Sequence, residues 1–93
     1  MLLENRRAIH KFIVKHADAR TAFAEWINKV EAARWLHLHN VKSTFNSVDY
    51  VKGLVIFNIG GNRYRVAAQV VFKDQIVRIG KVGTHSEYEE WNL

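Results

Sequence analysis

Apolar residues recur at helical spacing through the first third of the chain and at strand spacing through its second half. Ile9, Phe12 and Ile13 share one helical stripe. Asn5, just before them, can accept from the free amides of a first turn, which predicts a helix over residues 5–17. A second helix is predicted from Asp18, an N-cap whose charge suits the positive helix end, with Phe23, Trp26, Ile27, Val30 and Ala33 as its apolar stripe. Glu25 and Lys29 face each other one turn apart on its polar side. Trp26 reads as core, because an aromatic within an apolar stripe packs more often than it binds. After Arg34 the pattern fades through His37, His39, Asn40, Ser43 and Asn46, a polar connection with one helical turn.

From Leu54 the period becomes two. Leu54 to Ile59 is β-rich, Gly60-Gly61-Asn62 supplies positive-φ residues for a tight turn, and Arg63 to Phe72 resumes as a strand. Lys73-Asp74 turns the chain into Gln75 to Val82, giving a three-stranded antiparallel meander closed by a short helix or extended tail. Side chains two apart share a face. Tyr64, Val66, Ala68, Val70 and Phe72, joined by Val55, Phe57, Ile59, Val77 and Ile79, therefore form an apolar face beneath the two helices. Arg63, Arg65, Ala67 and Gln69 line the other side, where Lys52, Asn58 and Arg78 gather by the same parity. The predicted fold class is α+β, two N-terminal helices packed on a small antiparallel sheet that has one buried face and one open, basic face.

Composition narrows the function. Ninety-three residues, 48% of them hydrophobic, suffice for one domain with one core. No apolar run approaches the roughly 18 residues of a membrane span, and Met1 to Asn5 has no signal-peptide core, so a cytoplasmic protein with no membrane partner is expected. The absence of cysteine excludes a disulfide framework, a zinc ribbon and a thiol nucleophile. A net charge of +5 and a sequence pI near 9.8 favour an anionic partner: nucleic acid, an acidic protein or a membrane surface. Between Lys52 and Val82 six bases (Lys52, Arg63, Arg65, Lys73, Arg78, Lys81) face the single acid Asp74, so the excess charge belongs to the sheet. Basic residues on the wet face of an antiparallel sheet commonly do no more than solvate it. Planar guanidiniums with no carboxylate among them also match phosphate oxygens.

Directly after the last strand comes Gly83-Thr84-His85-Ser86-Glu87-Tyr88, placed where side chains can overhang the basic face. His85 brings a group able to exchange protons near neutral pH, and Tyr88 a stacking surface and a hydroxyl. A lone histidine is more often a structural or merely solvated residue, and Tyr88 by itself can belong to the core of a terminal helix. His37 and His39 offer two metal ligands without a third, Gly60-Gly61-Asn62 lacks the spacing of a phosphate loop, and Ser86 lacks the other parts of an acyl-transfer site. No metal or other cofactor is expected.

Two motifs, Val55-Ile56-Phe57-Asn58-Ile59-Gly60-Gly61-Asn62-Arg63-Tyr64-Arg65 and Val82-Gly83-Thr84-His85-Ser86-Glu87-Tyr88, resemble the HigB family of type II toxins. Lys15-His16-Ala17-Asp18-Ala19 is similar to that family's Lys-His-Pro-Asp-Ala, with Ala17 in place of proline, and the resemblance covers nearly the whole chain. It implies a single RelE-like toxin domain over residues 1–93 and an mRNA interferase that cuts mRNA during translation on the ribosome. It also implies a HigA-like antitoxin with a helix-turn-helix domain, through which the toxin–antitoxin complex binds operator DNA.

The reaction the resemblance implies is metal-independent transesterification, in which an RNA 2′-hydroxyl attacks its adjacent phosphate. Arg65 would hold the phosphate, His85 would protonate the leaving oxygen and Tyr88 would orient or stack a base. Lys52, Asn58, Arg63, Arg78 and Lys81 are the further RNA-binding candidates, and no residue stands out as general base. Many relatives carry a basic residue near Gly80, which here is flanked by Arg78 and Lys81. Two other classes stay open. A ParE-like gyrase-inhibiting toxin would leave mRNA intact and damage DNA, and a non-catalytic nucleic-acid or antitoxin-binding module would be harmless when expressed alone.

Overall fold

The chain begins as a strand rather than a helix. In the computed structural model, which describes residues 1–93, β1 (Leu2–Glu4) lies parallel to the last strand, with Leu3 opposite Val77. Three residues are too few to show an alternation, which is why the pattern along the chain did not reveal this strand. Asn5 does not cap the helix that follows. It sits in the left-handed region with φ 69°, which asparagine tolerates better than most residues, and turns β1 into α1 (Arg7–Lys15). Its Nδ2 donates to the Ile79 carbonyl at 2.9 Å, tying the corner to the sheet.

A 3-10 turn (Ala17–Ala19) leads into α2 (Arg20–Ala32). The expected cap at Asp18 is also overturned. Asp18 lies inside that turn, α2 is preceded by Ala19 with no side-chain cap, and the Asp18 carboxylate pairs with Arg63 instead. Phe23, Trp26 and Val30 are buried as the stripe predicts. The polar connection holds more structure than one turn, because α3 (Leu38–Thr44) forms there. Its pattern is faint because only Val41 is buried, while Asn40 Oδ1 accepts from the Leu36 and His37 amides at 2.9 and 3.1 Å.

The remaining elements are β2 (Val48–Val51), β3 (Leu54–Ile59), β4 (Tyr64–Val71), β5 (Ile76–Thr84) and α4 (His85–Glu89). The sheet order is β1-β5-β4-β3-β2, with the expected meander as its centre, an unforeseen strand at each edge, and one parallel pair. The fold is therefore α+β with a mixed sheet rather than a purely antiparallel one. Gly60 (φ 65°) and Gly61 (φ 71°) supply the left-handed residues of the β3–β4 hairpin.

One face follows the parity reading: Val55, Phe57, Ile59, Tyr64, Val66, Ala68, Val77 and Ile79 are buried in one cluster with Ile9, Phe12, Phe23, Trp26 and Val30. Trp26 meets Phe57 edge-on at 5.2 Å, and Trp35 stacks beside the same ring at 6.3 Å.

The other face is not open. Ile56, Arg65 and Ala67 are buried on it, under the C-terminal segment. Trp91 packs so close to Gly83 that a β-carbon there would lie 2.8 Å from the indole, and Lys52 Nζ donates to the Leu93 carbonyl at 2.5 Å. The segment thus crosses from β5 to the β2–β3 turn, over Ala67 and Ile56. An irregularity in β5 sets up this arrangement. Ala67 faces Lys81 and Ala68 faces Ile79, so Gly80 is an extra residue, a bulge that reverses parity beyond it. Ile79 consequently points into the helix-covered core, whereas Lys81 and Gly83 share the face of Arg65.

Candidate functional site

Arg65 is 5% exposed, and its guanidinium is held on several sides. Nη1 donates to the carbonyls of Asn62 and Tyr64 at 3.2 and 3.1 Å, and Nη2 donates to Asn62 Oδ1 at 2.6 Å and bonds His85 Nδ1 at 2.9 Å. A guanidinium has only donors, so Nδ1 accepts and the neutral imidazole carries its proton on Nε2. All four acceptors are uncharged, and no carboxylate pairs with Arg65. Burying a cation among neutral partners costs on the order of several kcal/mol, and an arriving anion offsets that cost.

The strand-to-helix junction explains how His85 and Tyr88 reach this cation. Thr84 caps α4: its Oγ1 accepts from the Glu87 amide at 3.1 Å, while Glu87 Oε1 accepts from the Thr84 amide at 2.8 Å. This reciprocal box starts a helix immediately at the end of β5. The His85 amide is anchored on the Arg63 carbonyl at 2.9 Å. Three residues on, the Tyr88 ring lies one helical turn away, its centroid 5.4 Å from the Arg65 guanidinium carbon. The His85 side chain is 43% exposed, and its Nε2 stands 4.0 Å from Glu89 Oε1. Of the three residues proposed as catalytic from the sequence, Arg65 thus meets both His85 and Tyr88.

Residues 19–91 match the model of the HigB toxin family, described as the RelE-like toxic component of a toxin-antitoxin system. The chain belongs to this family. It is 32% identical over 92 residues to the mRNA interferase toxin HigB of Escherichia coli (strain K12), an alignment that covers 96% of this chain and 88% of that relative. The proteins named mRNA interferase HigB from Escherichia coli O157:H7 and Shigella flexneri match with the same identity and coverage.

The other RNA-binding candidates of this HigB-family chain are dispersed. Arg63 leaves the sheet face to pair with Asp18, which holds the Asp18 carboxyl below the usual carboxylate range. Arg78 pairs with Glu4 at 2.8 Å and donates to Gln69 Oε1 at 3.1 Å. Gln69 lies four residues along β4 from Arg65, or about 13 Å at the usual rise per residue. Lys81 shares the face of Arg65, with Nζ 5.9 Å from the Trp91 ring, and so brings a charge beside the glycine bulge. Asn58 is the cross-strand partner of Arg65, yet its amide donates to Ser47 Oγ.

Three participants were not singled out from the sequence. Asn62 was read only as a turn residue, and Trp91 and Glu89 only as tail. Asn62 precedes Arg65 by three residues at the mouth of a tight hairpin, a spacing that brings its side chain within reach of Arg65, and this was the available signal.

The largest concavity, about 500 Å³, lies between α1 and the β5–α4 junction, lined by Lys11, Phe12, Val14, His16 and Val82 among others, and excludes Arg65, His85 and Tyr88. Tyr88 borders a second groove of about 350 Å³ with Val51, Trp91 and Leu93. His37 and His39 have ring centroids 6.1 Å apart, and no group of three or more His, Asp or Glu side chains able to hold a metal forms anywhere in the chain. No helix is long and apolar enough to cross a membrane.

Proposed function

We propose that this HigB-family toxin is an mRNA interferase, an endoribonuclease that inhibits translation by cutting RNA at the Arg65, His85 and Tyr88 cluster. The reading is carried by one observation: a buried guanidinium with only neutral acceptors touches both a half-exposed imidazole and an aromatic ring. These are an anion site, a proton-transfer group and a stacking surface, separated by no more than one nucleotide.

The reaction is metal-independent transesterification. The RNA 2′-hydroxyl gives up its proton to solvent as its oxygen bonds to the adjacent phosphorus, the bond from phosphorus to the 5′-oxygen breaks, and the leaving oxygen takes up a proton, so the products are a 2′,3′-cyclic phosphate and a 5′-hydroxyl. Arg65 binds the phosphate and stabilises the charge that develops on it, a contribution of about 3 to 4 kcal/mol for one preorganised donor. Once the phosphate engages Arg65, Nδ1 of His85 is released to hold a proton, and the imidazolium so formed delivers the Nε2 proton to the leaving 5′-oxygen and returns to the neutral ring. Tyr88 stacks a neighbouring base. Lys81, on the face of Arg65, and Asn58, its cross-strand partner, are the nearest backbone contacts, and Lys52 would meet the strand farther along, at the β2–β3 turn. Arg63 and Arg78 contribute by exchanging a carboxylate for a phosphate.

Membership in a toxin-antitoxin family brings an antitoxin as partner. The finer reading is a HigA-like helix-turn-helix antitoxin that carries the complex to operator DNA, and a substrate mRNA met on the ribosome in the cytoplasm. The test is cleavage of a defined RNA by the purified chain in excess chelator, with and without ribosomes. Fragments ending in cyclic phosphate are expected, and a 2′-deoxy substitution at the cut nucleotide should abolish cutting. Intact RNA in both settings, or cutting of the 2′-deoxy substrate, would refute this chemistry, and DNA damage with intact transcripts in cells would favour gyrase instead.

A further inference from the structure

We propose that Asn62 is a positioning residue for the cleavage reaction, aiming the Arg65 cation while leaving its charge uncancelled. This rests on the reading of Arg65 as the phosphate-binding group. Asn62 supplies two of the four acceptors around the guanidinium, its backbone carbonyl to Nη1 and its side-chain Oδ1 to Nη2, and the second is the shortest of the four bonds. The two left-handed glycines before it fold the hairpin so that Asn62 and Arg65 meet. With Nη1 and Nη2 each donating twice, Nε–H is the donor left for a phosphate oxygen, and the cation is fixed against the Tyr88 ring.

The identity of the side chain matters more than its shape. Turn chemistry at this position is served by aspartate as well as by asparagine. Aspartate would offer the same acceptor oxygen, but its negative charge would form a charge-assisted bond with Nη2 and offset the cation that the phosphate needs. A neutral amide fixes direction alone. The consequence is an unusual separation of stability from activity: replacing Asn62 by its charged isostere should hold Arg65 more tightly and make it a poorer catalyst.

The experiment compares Asn62→Asp and Asn62→Ala with wild type and Arg65→Ala. Asn28→Asp, on the exposed side of α2, controls for the change in net charge. In single-turnover cleavage, Asn62→Ala should lose about tenfold or more in rate with little change in half-saturating RNA. Asn62→Asp should lose more, while melting at or above the wild-type temperature.

Binding to a 2′-deoxy, uncleavable RNA gives a second readout. Neutralising one phosphate-binding cation should lower the slope of log affinity against log salt by about 0.7, the counterion release expected for one charge on a single strand. Asn28→Asp should leave rate and slope as in wild type. If both Asn62 variants cut at the wild-type rate while Arg65→Ala is inactive, the positioning role is refuted and the site stands. If Arg65→Ala itself cuts normally, the underlying reading fails. Should Asn62→Ala not fold, Asn62→Asp decides alone: wild-type rate and slope overturn the proposal.

Discussion

The two faces of this sheet are both covered, but by different means and to different ends. Beneath α1 and α2, side chains from β3, β4 and β5 meet Trp26, Phe23 and Val30, and none of the side chains in the cluster is charged. On the opposite face the cover is a five-residue helix and a tail, resting on a glycine, and the cluster beneath it contains a buried arginine. The first face shields apolar area in bulk, whereas the second shields a few atoms so that one cation is held in one direction. The thick core provides the rigidity that lets the thin cover work, because β4 contributes to both faces, Tyr64 and Val66 to one and Arg65 to the other.

Changes on the two faces should therefore differ in kind. Trp26→Ala removes a residue that is 3% exposed and should cost about 3 to 5 kcal/mol, a large share of a small domain's stability, as measured by chemical denaturation. Gly83→Ala attacks the thin cover. Its β-carbon would stand 2.8 Å from the Trp91 ring and 3.2 Å from Glu87 Cβ, so α4 and the tail must shift, at a cost of about 1 to 3 kcal/mol. The cleavage rate should fall more than the melting temperature does, because His85 and Tyr88 move with α4. A variant that loses stability and keeps its rate would break the distinction between the faces.

The smallest effect belongs to neither face. Asp18, paired at the surface with Arg63, has its carboxyl lowered in the folded chain chiefly by that guanidinium. A lowered folded value means that the pair's contribution is present above the unfolded carboxylate value and is lost as pH falls through the folded one. Asp18→Asn should thus flatten the acid limb of a stability–pH profile slightly and leave neutral pH almost unchanged, as exposed pairs do.

Legibility followed the same division. The thick face could be read because alternation along β3 and β4 and helical spacing along α2 repeat often enough to be unambiguous, and the parity of Tyr64, Val66 and Ala68 carried through directly. The edges could not, since Leu2–Glu4 and Val48–Val51 are too short for a period to show. Asn5 and Asp18 were misread because a residue suited to capping is equally suited to a left-handed corner or an ion pair, and long-range partners decided between these uses. For the site, strand parity put Arg65 on the correct face and the strand end put His85 and Tyr88 near it. The bulge at Gly80 was invisible, although it is the bulge that turns Gly83 toward Arg65. Arg63 looked equivalent to Arg65 by parity alone, but it lies just before β4 begins, where the pleat no longer dictates its direction.

The most direct test of the account is a double-mutant cycle on RNA cleavage with Arg65→Ala, His85→Ala and the pair together. Groups that act on one scissile linkage as a unit are not additive. Each single variant should lose about a hundredfold or more in rate, and the double variant should fall little below the slower single one, all with nearly wild-type melting temperatures. Wild-type cutting by either single variant, or losses that simply multiply in the double variant, would contradict a shared site at Arg65 and His85.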